Sequence, residues 1–179
     1  MFHEGESLMS NTTGMGNTAF GAQALLNNTT GSYNIAIGRG SMVFNSTGGA
    51  NVGIGADALR NNNGSYNTAM GYSAMMFNTT GEFNTAVGTK ALYNNTTGNS
   101  NVAVGRYALY NNTSSWNNVA IGDNALYNYS GSEGTIVAIG AQAAYNTQEH
   151  LTAIGYQALY NNTTGSQNMA MGWKALYSN

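Results

Sequence analysis

A large apolar residue followed by glycine recurs along this chain at an almost constant interval. The pairs are Phe20–Gly21, Ile37–Gly38, Ile54–Gly55, Met70–Gly71, Val87–Gly88, Val104–Gly105, Ile121–Gly122, Ile139–Gly140, Ile154–Gly155 and Met171–Gly172. The glycines are spaced 17, 17, 16, 17, 17, 17, 18, 15 and 17 residues apart. A fixed period of this size is the mark of a repeat architecture. Two positions before each pair's glycine stands alanine, with Gly53 as the exception, and one further back a mostly β-branched residue (Ile35, Val52, Thr85, Val102, Val119). This alternation predicts a short strand with one bulky and one small face. The bulky side chains are expected to point into a core. The small face is expected to lie against another backbone.

The second half of each unit carries its own apolar columns. Ala24, Ser41, Ala58, Ala74, Ala91, Ala108, Ala125, Ala143, Ala158 and Ala175 are followed by Leu25, Met42, Leu59, Met75, Leu92, Leu109, Leu126, Ala144, Leu159 and Leu176. A second short strand with an inward side chain is expected here. The next column is rich in tyrosine: Tyr93, Tyr110, Tyr127, Tyr145, Tyr160 and Tyr177. Arg60 also occupies it, so it is at least partly exposed. The remainder, Asn-Asn-Thr-Thr-Gly and its variants, is turn chemistry. An asparagine opens the units at 17, 34, 51, 67, 84, 101, 118 and 168, and such a column can build ladders of side-chain amide bonds.

Two short strands and two turns per unit describe one coil of a parallel β-solenoid. Residues 1–179 are expected to form a single all-β solenoid domain of about ten coils of ~17 residues. The units over 17–122 are regular. One long and one short unit disturb the interval from about 124 to 150.

Charge and composition narrow the function. Charged residues make up 7% of the chain and the net charge is −2, which removes a generic basic nucleic-acid surface. Cysteine is absent, so no disulfide framework or cysteine metal site is expected. No run of about 18 apolar residues exists, so no membrane insertion is expected. The opening residues lack the basic and apolar regions of a signal peptide. The regular apolar columns argue against a low-complexity chain that never folds. The phase of the repeat runs close to both ends without an evident polar cap, so either a longer protein or end-to-end stacking of protomers is expected.

The half-units Asn34-Ile35-Ala36-Ile37-Gly38 and Asn118-Val119-Ala120-Ile121-Gly122 resemble the head repeats of YadA-type trimeric adhesins. The longer form with its Asn161-Asn162-Thr163-Thr164-Gly165 turn is similar to repeats in bacteriophage tail fibres. The resemblance implies a left-handed parallel β-roll wound as a homotrimer, located outside a cell or on a virion surface. It also implies a structural or adhesive fibre, a stiff shaft with a receptor or glycan contact. The uniformly small alanine face would suit close packing against a neighbouring chain.

Candidate chemistry is sparse. The tyrosine row (Tyr93, Tyr110, Tyr127, Tyr145, Tyr160, Tyr177) can either shield the strand edge by stacking or offer aromatic faces to sugar rings. The irregular loops contribute Glu133, Glu149 and His150 as candidate contact residues, and Glu149-His150 reads better as a solvated loop pair than as metal ligands. The acidic residues follow no column, no Ser/His/Asp set assembles, and no cofactor or enzymatic activity is expected. The alternatives to the fibre segment are a filament subunit that self-associates end to end and an ice- or surface-binding solenoid using its threonine turns.

Overall fold

The computed structural model describes residues 5–131, 134–147 and 150–178. Its strands are β1 (Thr18–Phe20), β2 (Ile35–Ile37), β3 (Val52–Ile54), β4 (Thr68–Met70), β5 (Thr85–Val87), β6 (Val102–Val104), β7 (Val119–Ile121) and β8 (Val137–Ile139). They continue with β9 (Asn146–Thr147), β10 (Leu151–Ile154), β11 (Asn161–Asn162) and β12 (Asn168–Met171). Ten of them stack in chain order into one sheet, β1 through β8, then β10 and β12. Every neighbouring pair is parallel, and equivalent residues of successive units face each other, as in Thr85↔Val102, Ala86↔Ala103 and Val87↔Val104. The protein is an all-β parallel solenoid at ~17 residues per turn, as the period predicts, with about nine turns against an expected total of about ten coils. A three-residue strand has no stability alone. Here each strand between β1 and β12 in the sheet is held by the strands of the coils on either side.

The inside of the coil differs from expectation. The alanine column of the strands is fully buried: Ala36, Ala69, Ala86, Ala103 and Ala120 are 0% exposed. The large residues flanking them point outward, with Ile35 and Ile37 38% and 37% exposed. The expected inward direction of the bulky face is therefore reversed. The alanine face does lie against another backbone, but that backbone belongs to the same chain and leaves no alanine surface for a neighbour. The reason is volume. Each turn already encloses one long side chain from the second half-unit, such as Leu59, Leu92 or Leu109, all 0% exposed. Opposite it only a methyl group fits. The one glycine in the column proves the tightness. A Cβ at Gly53 would stand 2.8 Å from Ser41 Oγ and 2.9 Å from Met42 Cε. Ser41 and Met42 replace the usual Ala and Leu, and the Ser41 hydroxyl donates to Gly53 O at 3.0 Å. Gly53 and Ser41 are thus one compensated packing event.

The second half-unit is not a strand. Leu92 has φ +53° and Lys90 φ +53°, and the same left-handed conformation recurs in both columns through the chain. Successive side chains of a strand alternate between faces. Ala91 and Leu92 are instead both buried, because the left-handed leucine returns its side chain to the same side. Each coil turns this corner on Ala N–H to Gly O bonds, as in Ala91 N–H to Gly88 O at 3.2 Å. It hydrogen-bonds the next coil through Leu92 N–H to Ala108 O at 2.9 Å. The glycine that ends each strand is required twice over: Gly88 has φ +134°, and a Cβ there would meet Gly105 O at 2.5 Å.

Asparagines line the rest of the interior. In the first column the amide of Asn84 donates to Asn67 Oδ1, Asn101 to Asn84 and Asn118 to Asn101, at 3.1–3.2 Å. The expected ladder is therefore present. A second one, not expected, runs through Asn11, Asn28, Asn45, Asn62, Asn78, Asn95 and Asn112. Both sit at or near 0% exposure from Asn28 to Asn118. Each second-column amide also caps its own turn, as Asn95 Nδ2 does at Gly98 O, 3.0 Å. Among the described residues no buried side-chain nitrogen or oxygen lacks a partner, as burial of so many amides demands.

Candidate functional site

Four surface features of the solenoid bear on function. The first is the outer face of the ten-stranded sheet. Its two columns contain only Thr, Val, Ile, Met and Phe, from Thr18 and Phe20 to Met169 and Met171. No charge interrupts them. At strand spacing the face is a band roughly 45 Å long and 10 Å wide. The largest apolar patch on a soluble monomer is about 300–600 Å² and is often functional.

The second is the tyrosine row. Tyr93, Tyr110, Tyr127, Tyr145, Tyr160 and Tyr177 stack with ring centroids 5.0–5.2 Å apart and planes within 9° of parallel. Phe77 closes one end edge-on at 5.1 Å. Each interior ring therefore has both faces covered by its neighbours, and the row presents ring edges along its length. Lys90 Nζ lies 5.2 Å from the Tyr93 centroid, and Lys174 Nζ lies 5.5 Å from that of Tyr177. Burial among its neighbours pushes the Tyr145 hydroxyl above its ordinary pKa, and the adjoining Tyr160 and Tyr127 add to the rise.

The third is the irregular interval. His150 borders a shallow cavity of about 200 Å³ with Thr135, Thr152, Gln167 and Met169. Glu133 and Glu149 lie outside the described residues. Among the described residues no group of three or more His, Asp or Glu side chains converges as metal ligands would, and no helix is long and apolar enough to cross a membrane. The ion pairs stand elsewhere. Arg106 grips Asp123 of the next coil through Nε at 2.8 Å and Nη2 at 3.1 Å. That hydrogen-bonded guanidinium holds the Asp123 carboxyl below the usual carboxylate range. Asp57 pairs with Arg60 at 2.7 Å and Arg39 at 3.9 Å.

The fourth feature is a column that the sequence reading passed over, the residue before each opening asparagine. It holds Tyr33, Ala50, Tyr66 and Phe83, all exposed and all with positive φ. The signal was available in the repeated Gly31-Ser32-Tyr33-Asn34 and Gly64-Ser65-Tyr66-Asn67. A cavity of about 300 Å³ opens between Tyr33 and Tyr66. No family model, no curated protein and no solved structure matches the chain.

Proposed function

We propose that this chain is the shaft of an extracellular or virion-borne fibre, of the kind found in phage tail fibres and cell-surface adhesins, in which three copies pack around one axis. The observation that carries this reading is the uncharged outer sheet face. The same stripe on every copy is complementary to itself: side chains one coil apart are equivalent, and no charge fixes a different partner. Its two columns allow each copy to touch two neighbours, one through the Thr68–Thr85–Val102 side and one through the Met70–Val87–Val104 side. A threefold arrangement uses both. The role is mechanical and adhesive rather than catalytic. Parallel hydrogen-bond ladders running the length of the rod supply stiffness, and contact with a receptor or glycan falls to exposed aromatic side chains.

Sedimentation equilibrium of the purified chain tests the reading. A particle of three 18.7 kDa chains is expected. Val87→Glu, at the centre of the stripe, is expected to dissociate it without loss of β-structure. A wild-type protein that sediments as one chain would overturn it. Filaments growing with concentration would favour end-to-end assembly as the function instead. The threonine turns give less support to ice binding, because the first hydroxyl of the pair donates to the next coil, as Thr96 Oγ1 does to Thr113 O at 2.9 Å.

A further inference from the structure

Successive units place equivalent side chains about 4.8 Å apart. In the tyrosine row this rise lets ring stack on ring at 5.0–5.2 Å. The Tyr33 column begins the same pattern and then omits one ring. Tyr66 and Phe83 stack at 5.0 Å with planes 2° apart. Tyr33 stands two coils before Tyr66, and between them is Ala50. Two coil rises separate the two tyrosines by roughly 10 Å, the room of one missing ring.

Each wall of the slot has a neighbour behind it. Phe83 backs Tyr66 on its far side. Tyr33 rests over Gly16, where a Cβ would stand 2.7 Å from Cδ1 of the tyrosine ring. The absent side chain at Gly16 leaves room for that ring. The floor is polar. Ala50 N–H is already bonded to Ser32 O at 2.9 Å, and Gly49 N–H to Ser65 Oγ at 3.2 Å. The hydroxyl hydrogen of Ser65 and the exposed hydroxyls of Thr30 and Thr47 donate to nothing among the described residues, and all three line the cavity. No charged side chain lines it.

We propose that the slot over Ala50, between Tyr33 and Tyr66, binds one uncharged pyranose ring of a glycan. A pyranose carries C–H bonds on both faces and hydroxyls around its rim. The slot offers an aromatic ring above, another below, and hydroxyls at its edge. A flat aromatic ligand would fill the gap but would leave that rim of donors without a use. An anionic sugar would find no cation there. This assigns the adhesive contact of the proposed fibre to a site distinct from the tyrosine row, whose interior faces are closed.

Saturation-transfer NMR on the full chain tests the assignment, with methyl β-D-galactopyranoside, methyl β-D-glucopyranoside and methyl N-acetyl-β-D-glucosaminide as probes and p-cresol as the flat aromatic control. Transfer to the ring C–H protons of at least one glycoside is expected. Ala50→Tyr should fill the slot and weaken binding about tenfold or more. That variant is expected to fold, because Tyr33 and Tyr66 occupy the same column with φ 60° and 61°, close to the 55° of Ala50. Tyr66→Ala should weaken binding by a similar factor, and Ala50→Ser should leave it unchanged. Transfer to p-cresol alone, no transfer to any glycoside, or glycoside binding that survives both Ala50→Tyr and Tyr66→Ala would overturn the proposal. Sedimentation of the same samples reports on the trimer separately, so a glycan result of either sign leaves the fibre reading to its own test.

Discussion

The coils between Asn17 and Asn118 and those between Asn124 and Ile154 share a sheet but solve the interior differently. In the first group each turn buries two asparagines, such as Asn78 with Asn84 and Asn95 with Asn101. In the second group both are replaced together. Tyr129 and Ile136 stand where one pair would be, and Thr147 and Leu151 where the next would be, all 4% exposed or less. The two amide columns depend on each other, as when Asn67 Nδ2 donates to Asn62 Oδ1 at 3.2 Å. Replacing one alone would orphan buried donors and acceptors. Replacing both exchanges the amide ladders for the packed Tyr129, Ile136, Thr147 and Leu151, and here the coils run to 18 and then 15 residues.

The half of the coil that keeps constant length runs through the change undisturbed. Tyr110, Tyr127, Tyr145 and Tyr160 remain 5.0–5.2 Å apart across both irregular units. A third, partly buried amide ladder beside them, Asn94–Asn111–Asn128–Asn146–Asn161, also continues at 2.6–3.1 Å. Strand, glycine corner, tyrosine and this asparagine thus set the rise. The Asn-Thr-Thr-Gly loop is the part that can be rewritten.

Breaking one amide in a regular coil should show the largest effect. Asn101→Leu leaves Asn118 N–H and Ser115 O without the partners they have at 3.0 and 2.9 Å. A loss of about 4 kcal/mol in urea unfolding is expected. The converse change, Ile136→Asn, puts an amide against Leu151, and about 2–3 kcal/mol should be lost. If Asn101→Leu were as mild as a surface substitution, the interdependence of the ladders would be refuted. Adding Asn95→Thr to Asn101→Leu imitates the Thr147–Leu151 coil. The double variant is expected to be less destabilised than the sum of the singles by about 1 kcal/mol, read from a double-mutant cycle.

Titration sharpens the contrast further. The Tyr145 hydroxyl has its pKa raised by burial in the row, so the native state favours the neutral phenol. Its contribution to stability is complete below the ordinary value of 10.0 and is lost as pH rises through the native pKa. Melting followed at increasing alkaline pH should fall, and Tyr145→Phe should fall less. The smallest effect is expected at Asp123. Its pKa is lowered by Arg106, so the pair's contribution is present above the ordinary carboxylate value of 3.8 and disappears as pH falls through the native one. Both side chains are well exposed, 60% and 43%, so Asp123→Asn should shift the acid limb of the melting curve only slightly.

Much of this was legible in the chain. The glycine interval gave the solenoid, its turn length and the disturbed region. The opening asparagines gave the first ladder, and the tyrosine column its stacking. One overlooked signal bears on the corner that was read as a strand. The column of Leu25, Met42, Leu59, Met75 and Leu92 contains no Val or Ile at all, while the strand columns use them freely. A core position that takes only unbranched-at-Cβ residues is the trace of a left-handed backbone, where β-branching is most costly.

The sequence by itself determined the period, because every coil must present the same groups to the next at one strand spacing. It also determined where that period breaks. Only the tertiary structure decided which face of each strand is inside. Periodicity distinguishes two faces but not their direction, and in a coil this thin the small face wins because one leucine per turn already fills the interior. The same structure brought Tyr33, Ala50 and Tyr66 into one column and made a slot of the alanine. That juxtaposition depends on the register of three coils, and no single unit contains it.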